Sequence, residues 1–176
     1  MWISHSDSEV NKFHPVCERA LNYALRLAGK DTQYRVIHHQ YTGSLEMDFV
    51  IQNINTGKYL CVVEVKRTPT DVHSERYQFQ EMSYVQMNAG QSEKPFYILT
   101  NLEYAFTFRY DANRPRVFQQ MLKPGLAAIG SFDNDDEATF INKLAEYFKE
   151  RIEEYCIDSY DYLLTLEEFA LHMDRI

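Results

Sequence analysis

The segment from Gly43 to Lys66 constrains the fold of this chain more than any other. Two apolar-rich runs, MDFVI and YLCVVEV, flank the polar sequence NINTGK. Runs of β-branched and aromatic residues on both sides of a break that contains Asn and Gly predict a β-hairpin. If its turn is centred on Thr56, Asp48 lies directly opposite Glu64 on the neighbouring strand.

The alternation of side chains along this hairpin separates charged from apolar residues. Because residues i and i+2 share a face, Asp48, Glu64 and Lys66 should converge on one side. The other side is apolar and predicted to face the core, with Phe49, Ile51, Cys61, Val63 and Val65. A metal ion would offset the repulsion of the two carboxylates, so the charged side is the predicted active site. The alternative is a surface hairpin with a cross-strand Glu–Lys ion pair.

The composition favours one globular domain spanning residues 1–176. Apolar residues make up 45% of the chain and aromatic residues 14%, enough for a sizeable core. There is no run of about 18 apolar residues that would cross a membrane and no secretory signal, so we expect a cytoplasmic location. The widely spaced Cys17, Cys61 and Cys156 indicate buried free thiols, not a zinc site or a disulfide framework.

Acidic residues are concentrated in the C-terminal part of the chain. The formal net charge is −8; residues from Asp133 onward carry 13 acidic and 4 basic side chains, whereas residues 1–132 carry 13 and 14. A basic cluster comprises Arg109, Arg114, Arg116 and Lys123. Since Lys and Arg dominate affinity for the phosphate backbone, this distribution does not exclude DNA but predicts weak binding by the chain alone.

The first predicted helix and strand bring several histidines close to the hairpin in sequence. A helix from about Ser8 to Ala28 places His14 and Glu18 on one face. They are either a pair of metal ligands or, as the residues alone favour, part of a solvated polar face. In the strand that follows, the adjacent His38 and His39 point to opposite faces of a regular strand. We interpret both as structural.

After the hairpin, the sequence predicts another helix and then further strands. The helix runs from about Ser74 to Asn88 and carries Gln80 and Tyr84 four residues apart. Later elements are strands at 95–100 and 103–111, an edge strand near 117–118, and helices at 136–157 and 165–173. This order predicts an α/β fold, a mixed sheet with helices on its faces. Its core would span residues 9–118, with acidic C-terminal helices at 133–176.

Taken together, these features resemble the PD-(D/E)XK nuclease superfamily, whose core is a helix, a three-stranded meander, a helix and a strand. The matching residues are Asp48 and the tripeptide Glu64–Lys66, and Gln80–Tyr84 matches the QxxxY element. That element marks the branch that contains RecB-type nucleases and the nuclease domains of type I restriction motor subunits. Met47 replaces the Pro of the motif, and three scattered cysteines cannot form the iron–sulfur cluster of RecB-type relatives. The resemblance covers about residues 9–100.

The resemblance implies a restriction-endonuclease-like fold and a role for each motif residue. Catalytic roles fall to Asp48, Glu64, Lys66, Gln80 and Tyr84. The implied ligands of Mg²⁺, for which Mn²⁺ can substitute, are Asp48, Glu64, the main-chain carbonyl of Val65 and, from the first helix, Glu18. Contacts with nucleic acid fall to Lys66, Arg67, Gln80 and Tyr84.

We therefore expect a Mg²⁺-dependent DNA endonuclease, the cleavage module of a restriction or defence system. Its target would be duplex DNA, with affinity and specificity supplied by another domain, a separate subunit or a dimer mate. Two alternatives remain: a nuclease-fold binding or assembly module that has lost catalysis, and a nuclease directed at RNA or single strands. The intact Asp/Glu/Lys set argues against the first, and the motif does not decide the second.

Overall fold

The computed structural model describes residues 1–42, 45–67, 92–110, 118–120 and 127–156. The start of its first helical segment is set by Ser8. The Ser8 hydroxyl accepts a hydrogen bond of 3.1 Å from a main-chain amide three residues later and so caps the helical segment. A π-helical segment, Glu9–Phe13, continues into helix α1, His14–Leu27. Pro15 lies in the first turn of α1, where the φ fixed by its ring suits the helical backbone.

Within the described residues, seven strands form one mixed sheet. They are β1 Tyr34–Thr42, β2 Leu45–Asn53, β3 Tyr59–Val65, β4 Ser92–Thr100, β5 Tyr104–Tyr110, β6 Phe118–Gln120 and β7 Ala127–Ala128. Strands β1, β2 and β3 form an antiparallel meander, and β3 pairs parallel with β4. Strand β5 pairs antiparallel with β4, β6 and β7. The predicted mixed sheet is confirmed, and β1, β2 and β3 form the three-stranded meander that the resemblance implies.

The hairpin between β2 and β3 has the predicted register. Phe49 pairs with Val63, and Ile51 pairs with Cys61. The register shifts after Ile51, on the side of the turn, where the Asn53 carboxamide accepts hydrogen bonds from two main-chain amides. Because the shift lies at the turn, it leaves the pairing at the other end of the hairpin unchanged.

The apolar face of the hairpin belongs to the hydrophobic core, together with α1 and the C-terminal helix α2, Glu137–Cys156. The hairpin contributes the five residues predicted for it, Phe49, Ile51, Cys61, Val63 and Val65. Cys17 and Cys61 are buried free thiols, as expected. Each large apolar side chain buried here contributes about 1.5–3 kcal/mol. A slip of one residue would bring all of the apolar side chains of a strand to the wrong face, so core packing also fixes where the carboxylates lie.

The start of α2 is joined to the N-terminus of the chain. The Trp2 indole donates a 3.0 Å hydrogen bond to the main-chain carbonyl of Asp135, and its ring packs against Phe132 and Phe140. Asp136 accepts a hydrogen bond from a main-chain amide in the first turn of the helix. Trp2 is the single tryptophan of the sequence, so its fluorescence reports on this packing.

The later predicted elements fall into two groups. The strands at 95–100 and 103–111 and the helix at 136–157 are confirmed as β4, β5 and α2. The helices predicted at 74–88 and 165–173 lie outside the described residues. In the described part of the chain, no helix is long and apolar enough to cross a membrane.

Candidate active site

Asp48 and Glu64 meet where the regular ladder between β2 and β3 ends. The last pair of that ladder is Phe49 with Val63. One residue further, the Asp48 amide donates a hydrogen bond to Glu64 Oε1 at 3.1 Å. The Val65 amide in turn donates to Asp48 Oδ2 at 2.8 Å. Each carboxylate is therefore fixed by the backbone of the opposite strand, and the two acids lie together.

Both carboxylates are largely withdrawn from solvent. Glu64 is 3% exposed, and the side chain of Asp48 is 19% exposed. Burial, together with the negative charge of Asp48, raises the pKa of Glu64 well above its usual range. Burial acts to raise the pKa of Asp48 as well, but the interactions with His14 and the Val65 amide outweigh it and lower that pKa. Without a cation, the pair therefore favours a protonated Glu64 beside an ionised Asp48.

Lys66 and Arg67 directly follow β3. The Lys66 amide donates a 2.9 Å hydrogen bond to the Thr100 carbonyl, which extends the pairing with β4 past the end of β3. Burial dominates the pKa of Glu64, but the positive charge of Lys66 acts to lower it, so the ammonium interacts with the carboxylate pair. The Arg67 amide donates to Glu9 Oε1 at 3.1 Å, and its guanidinium Nε lies 3.9 Å from the same oxygen. Arg67 is thus held against the N-terminal helical segment.

Three histidines lie beside the carboxylate pair, contrary to the sequence prediction. His14, expected on a solvated face, is 2% exposed, and its Nε2 is 3.7 Å from Asp48 Oδ2. His38 and His39, expected on opposite faces, lie side by side with ring centroids 3.7 Å apart. The prediction is wrong because β1 is not regular: His39 has a φ of +54°, which breaks the alternation of side chains.

Glu18 approaches this region from α1. Its Oε2 lies 4.0 Å from His38 Nδ1. Burial, and then the neighbouring His39 and His14, lower the pKa of His38, which favours its neutral form. Glu18 therefore lies on the histidine side of the site, and its assistance to a metal at the carboxylates stays a prediction.

Gln80 and Tyr84 lie outside the described residues, so their predicted place near Lys66 and the DNA stays a prediction. The described donors are nevertheless sufficient for one kind of chemistry. Two carboxylates at the end of a hairpin, one of which favours a proton because of its burial and the charge of the other, form a set of oxygen ligands suited to a hard divalent cation. A nearby ammonium can compensate negative charge that develops on a substrate.

Comparison with known proteins gives matches by sequence and by structure. The family profile of the BpuSI N-terminal domain matches residues 3–154. The crystal structure of the type IIG restriction endonuclease BpuSI is similar, with 42% sequence identity and a TM-score of 0.86. The alignment covers 96% of this chain and 19% of that enzyme. This likeness confirms a restriction-endonuclease-like mixed sheet flanked by helices.

The likeness to a second solved structure is much weaker. A DUF820 protein from Anabaena variabilis ATCC 29413 gives a TM-score of 0.41 at 11% identity, over 78% of this chain and 83% of that one. No curated protein matches the chain significantly.

Proposed function

The chain belongs to the BpuSI N-terminal domain family, and from this premise we propose that it is a Mg²⁺-dependent endonuclease that hydrolyses phosphodiester bonds in DNA. The observation that carries the proposal is the buried pair of Asp48 and Glu64, each hydrogen-bonded to the backbone of the other strand. Lys66 adds a positive charge next to this pair. The restriction activity named for BpuSI supports the same chemistry here.

The residues present fit a Mg²⁺ ion. Burial and like charge raise the pKa of Glu64, so a divalent cation would replace its proton and relieve the repulsion from Asp48. Both carboxylates and the main-chain carbonyl of Val65 would hold the ion, which prefers oxygen ligands, and Mn²⁺ would substitute for it. Glu18 assists from α1. When bound, the ion polarises the phosphate and lowers the pKa of a coordinated water.

The remaining catalytic and binding roles belong to residues of the chain itself. Lys66 orients the attacking water and balances the negative charge that develops on the phosphate. The Val65 amide holds Asp48 in place, so the ligand does not need to reorganise on binding. Gln80 and Tyr84 lie by Lys66 and the DNA, as in the QxxxY branch, and Arg67 contacts the phosphate backbone.

The domain works as the cleavage module of a larger restriction–modification or defence assembly in the cytoplasm. The chain spans 19% of the length of BpuSI, and its formal net charge is −8. Such a charge opposes tight binding to a polyanion. Affinity and target choice therefore come from another domain, a separate subunit or a dimer mate.

A cleavage assay with three substrates tests this function. Purified protein is incubated with duplex DNA, single-stranded DNA and RNA, each with Mg²⁺, with Mn²⁺ and with EDTA. We expect metal-dependent cleavage of duplex DNA that is lost in Glu64→Gln and retained in Glu150→Gln, a change at a side chain that is 57% exposed. Preferential cleavage of RNA or single strands would change the substrate class. No cleavage with either metal would favour a binding or assembly module.

A further inference from the structure

The three histidines next to the active site form a second constellation, which the nuclease function does not use. His14 comes from α1, and His38 and His39 come from β1. One ring nitrogen of each residue lies within 4.8 Å of the other two. We propose that these imidazoles bind a divalent transition-metal ion of the Zn²⁺ class, at a site separate from the carboxylate pair.

The distances between the nitrogens favour a shared cation over a hydrogen-bond network. His14 Nδ1 lies 2.8 Å from His38 Nε2 and 3.3 Å from His39 Nε2. A ring nitrogen carries either one proton or one lone pair, so His14 Nδ1 makes a full hydrogen bond with only one of these neighbours. A metal ion accepts a lone pair from all three. Nitrogens bound tetrahedrally to Zn²⁺ at about 2.0–2.1 Å are about 3.3 Å apart, which matches the distance between His14 Nδ1 and His39 Nε2.

The opposite nitrogen of each ring supplies an independent observation. In protein metal sites, a ligating histidine usually directs its second nitrogen to a carboxylate, which fixes the tautomer and strengthens the ligand. The second nitrogens here are His14 Nε2, His38 Nδ1 and His39 Nδ1. Their carboxylates are, in the same order, Asp48 at 3.7 Å, Glu18 at 4.0 Å and Glu46 at 3.3 Å. All three histidines thus have one nitrogen in the shared centre and the other facing an acid.

The backbone of β1 is distorted where the cluster forms. His39 has a φ of +54°, in the left-handed region that side chains other than Gly, Asn and Asp adopt at a cost. Among the described residues, Leu102 is the other non-glycine with positive φ, at 78°. Leu102 lies in the turn between β4 and β5, where its amide donates a hydrogen bond to Thr100 Oγ1. His39 lies inside a strand, and the distortion places its ring beside that of His38.

The ligand type separates this site from the carboxylate site. Imidazole favours Zn²⁺, Cu²⁺, Ni²⁺ and Co²⁺, whereas Mg²⁺ prefers oxygen. Three protein ligands leave a fourth position for water or a substrate atom. The side chains of His38 and His39 are 31% and 34% exposed, whereas that of His14 is 3% exposed, so the ion would be reached from the β1 side.

Metal titrations of tag-free protein test the site without a measurement of cleavage. Protein stripped with EDTA is titrated with ZnCl₂ by calorimetry and with CoCl₂ by visible absorption, which reports imidazole ligation. We expect one ion per chain, and binding weakened more than about tenfold in His38→Gln and in His39→Asn. Asn tolerates a left-handed conformation, so His39→Asn preserves the backbone of β1. Glu18→Gln, which removes a carboxylate from behind His38, should weaken binding by about 10- to 100-fold.

Two control variants distinguish this site from nonspecific binding by surface histidines and from binding at the carboxylate pair. His5→Gln removes a histidine outside the cluster, where His5 Nε2 pairs with Glu103 at 2.6 Å, and should bind Zn²⁺ as the parent protein does. Glu64→Gln should keep Zn²⁺ binding while it abolishes Mg²⁺-dependent cleavage, so failure of either proposal is recognised separately. Absence of Zn²⁺ and Co²⁺ binding, binding unchanged in both His38→Gln and His39→Asn, or binding lost in Glu64→Gln would overturn the histidine site.

Discussion

The main-chain amide of Asp48 donates a hydrogen bond to the carboxylate of Glu64 on the neighbouring strand. The side chain of one acid is thereby held by the backbone of the other. This arrangement buries two acidic side chains together before any cation arrives. Its cost, which comes first from burial and then from the negative charge of Asp48, appears as the raised pKa of Glu64.

The first prediction concerns catalysis at this pair. Asp48→Asn, Glu64→Gln and Lys66→Ala should each lower kcat/KM by at least about 10³-fold, because metal-assisted charge stabilisation contributes several kcal/mol. Double variants should be hardly worse than single ones, since these residues act as a unit. Single-turnover cleavage of duplex DNA measures both effects. Near-normal cleavage by Glu64→Gln would show that Asp48 and Glu64 are not the catalytic pair.

The second prediction separates folding from metal binding. Without metal, the free energy of unfolding of Glu64→Gln should lie within about 1 kcal/mol of that of the parent protein. The reason is that the amide oxygen of Gln still accepts a hydrogen bond from the Asp48 amide and that one of two repelling acids is gone. Mg²⁺ at about 100 times its dissociation constant should stabilise the parent by about 2.7 kcal/mol and the variant much less. Urea unfolding followed by Trp2 fluorescence provides the measurement. Equal stabilisation of both proteins would mean that Mg²⁺ binds elsewhere.

The third prediction concerns Gln80 and Tyr84. If the QxxxY resemblance is correct, Gln80→Ala and Tyr84→Phe should reduce cleavage while they change the melting temperature little. The reason is that side chains directed at the DNA contribute to transition-state contacts and not to the core. Cleavage rates and thermal unfolding are compared on the same preparations. Full activity of both variants would show that the match to the QxxxY element is accidental.

The fourth prediction concerns stability in acid. The Lys143 ammonium, 2.8 Å from Asp135 Oδ1, and the Ser131 amide lower the pKa of Asp135. A folded-state pKa below the unfolded value stabilises the protein above about pH 3.9, and this contribution is lost as the pH falls through the folded-state pKa. Asp135→Asn should therefore be less stable than the parent at neutral pH, and the difference should shrink in acid.

Urea unfolding at a series of pH values, monitored through Trp2, measures that difference. The matched control is Asp133→Asn, a change at an exposed residue two positions away. A difference between Asp135→Asn and the parent that stays constant from neutral to strongly acidic pH would contradict the proposed ion pair.

The fifth prediction concerns DNA affinity. With a net charge of −8, the isolated chain should bind duplex DNA only in the nonspecific range, with a Kd of about 10⁻⁴–10⁻⁶ M at physiological salt. It should also cut without site preference. Fluorescence anisotropy and mapping of the cut sites test both parts. Nanomolar binding to one defined sequence by the monomer would show that the chain supplies its own specificity.

Much of the fold follows from local patterns in the sequence. The register of Phe49 with Val63 could be predicted because a hydrophobic face and an Asn/Gly turn together allow one alignment. The burial of His14 and the pairing of His38 with His39 could not be predicted. The pairing of the two rings depends on a left-handed residue inside β1, whereas the alternation rule assumes a regular strand. The adjacent histidines were the available signal, but they do not reveal the backbone angle.

Strand β3 is hydrogen-bonded on both sides, to β2 and to β4, and all seven of its residues are buried. Amide hydrogens in such a strand exchange with solvent mainly when the whole domain opens, not by fraying at an edge. We expect the Val65 amide, which donates its hydrogen bond to Asp48, to belong to this slowly exchanging class. The carboxylate pair therefore cannot relax by local melting, and the cost of burying it acts on the global folding equilibrium.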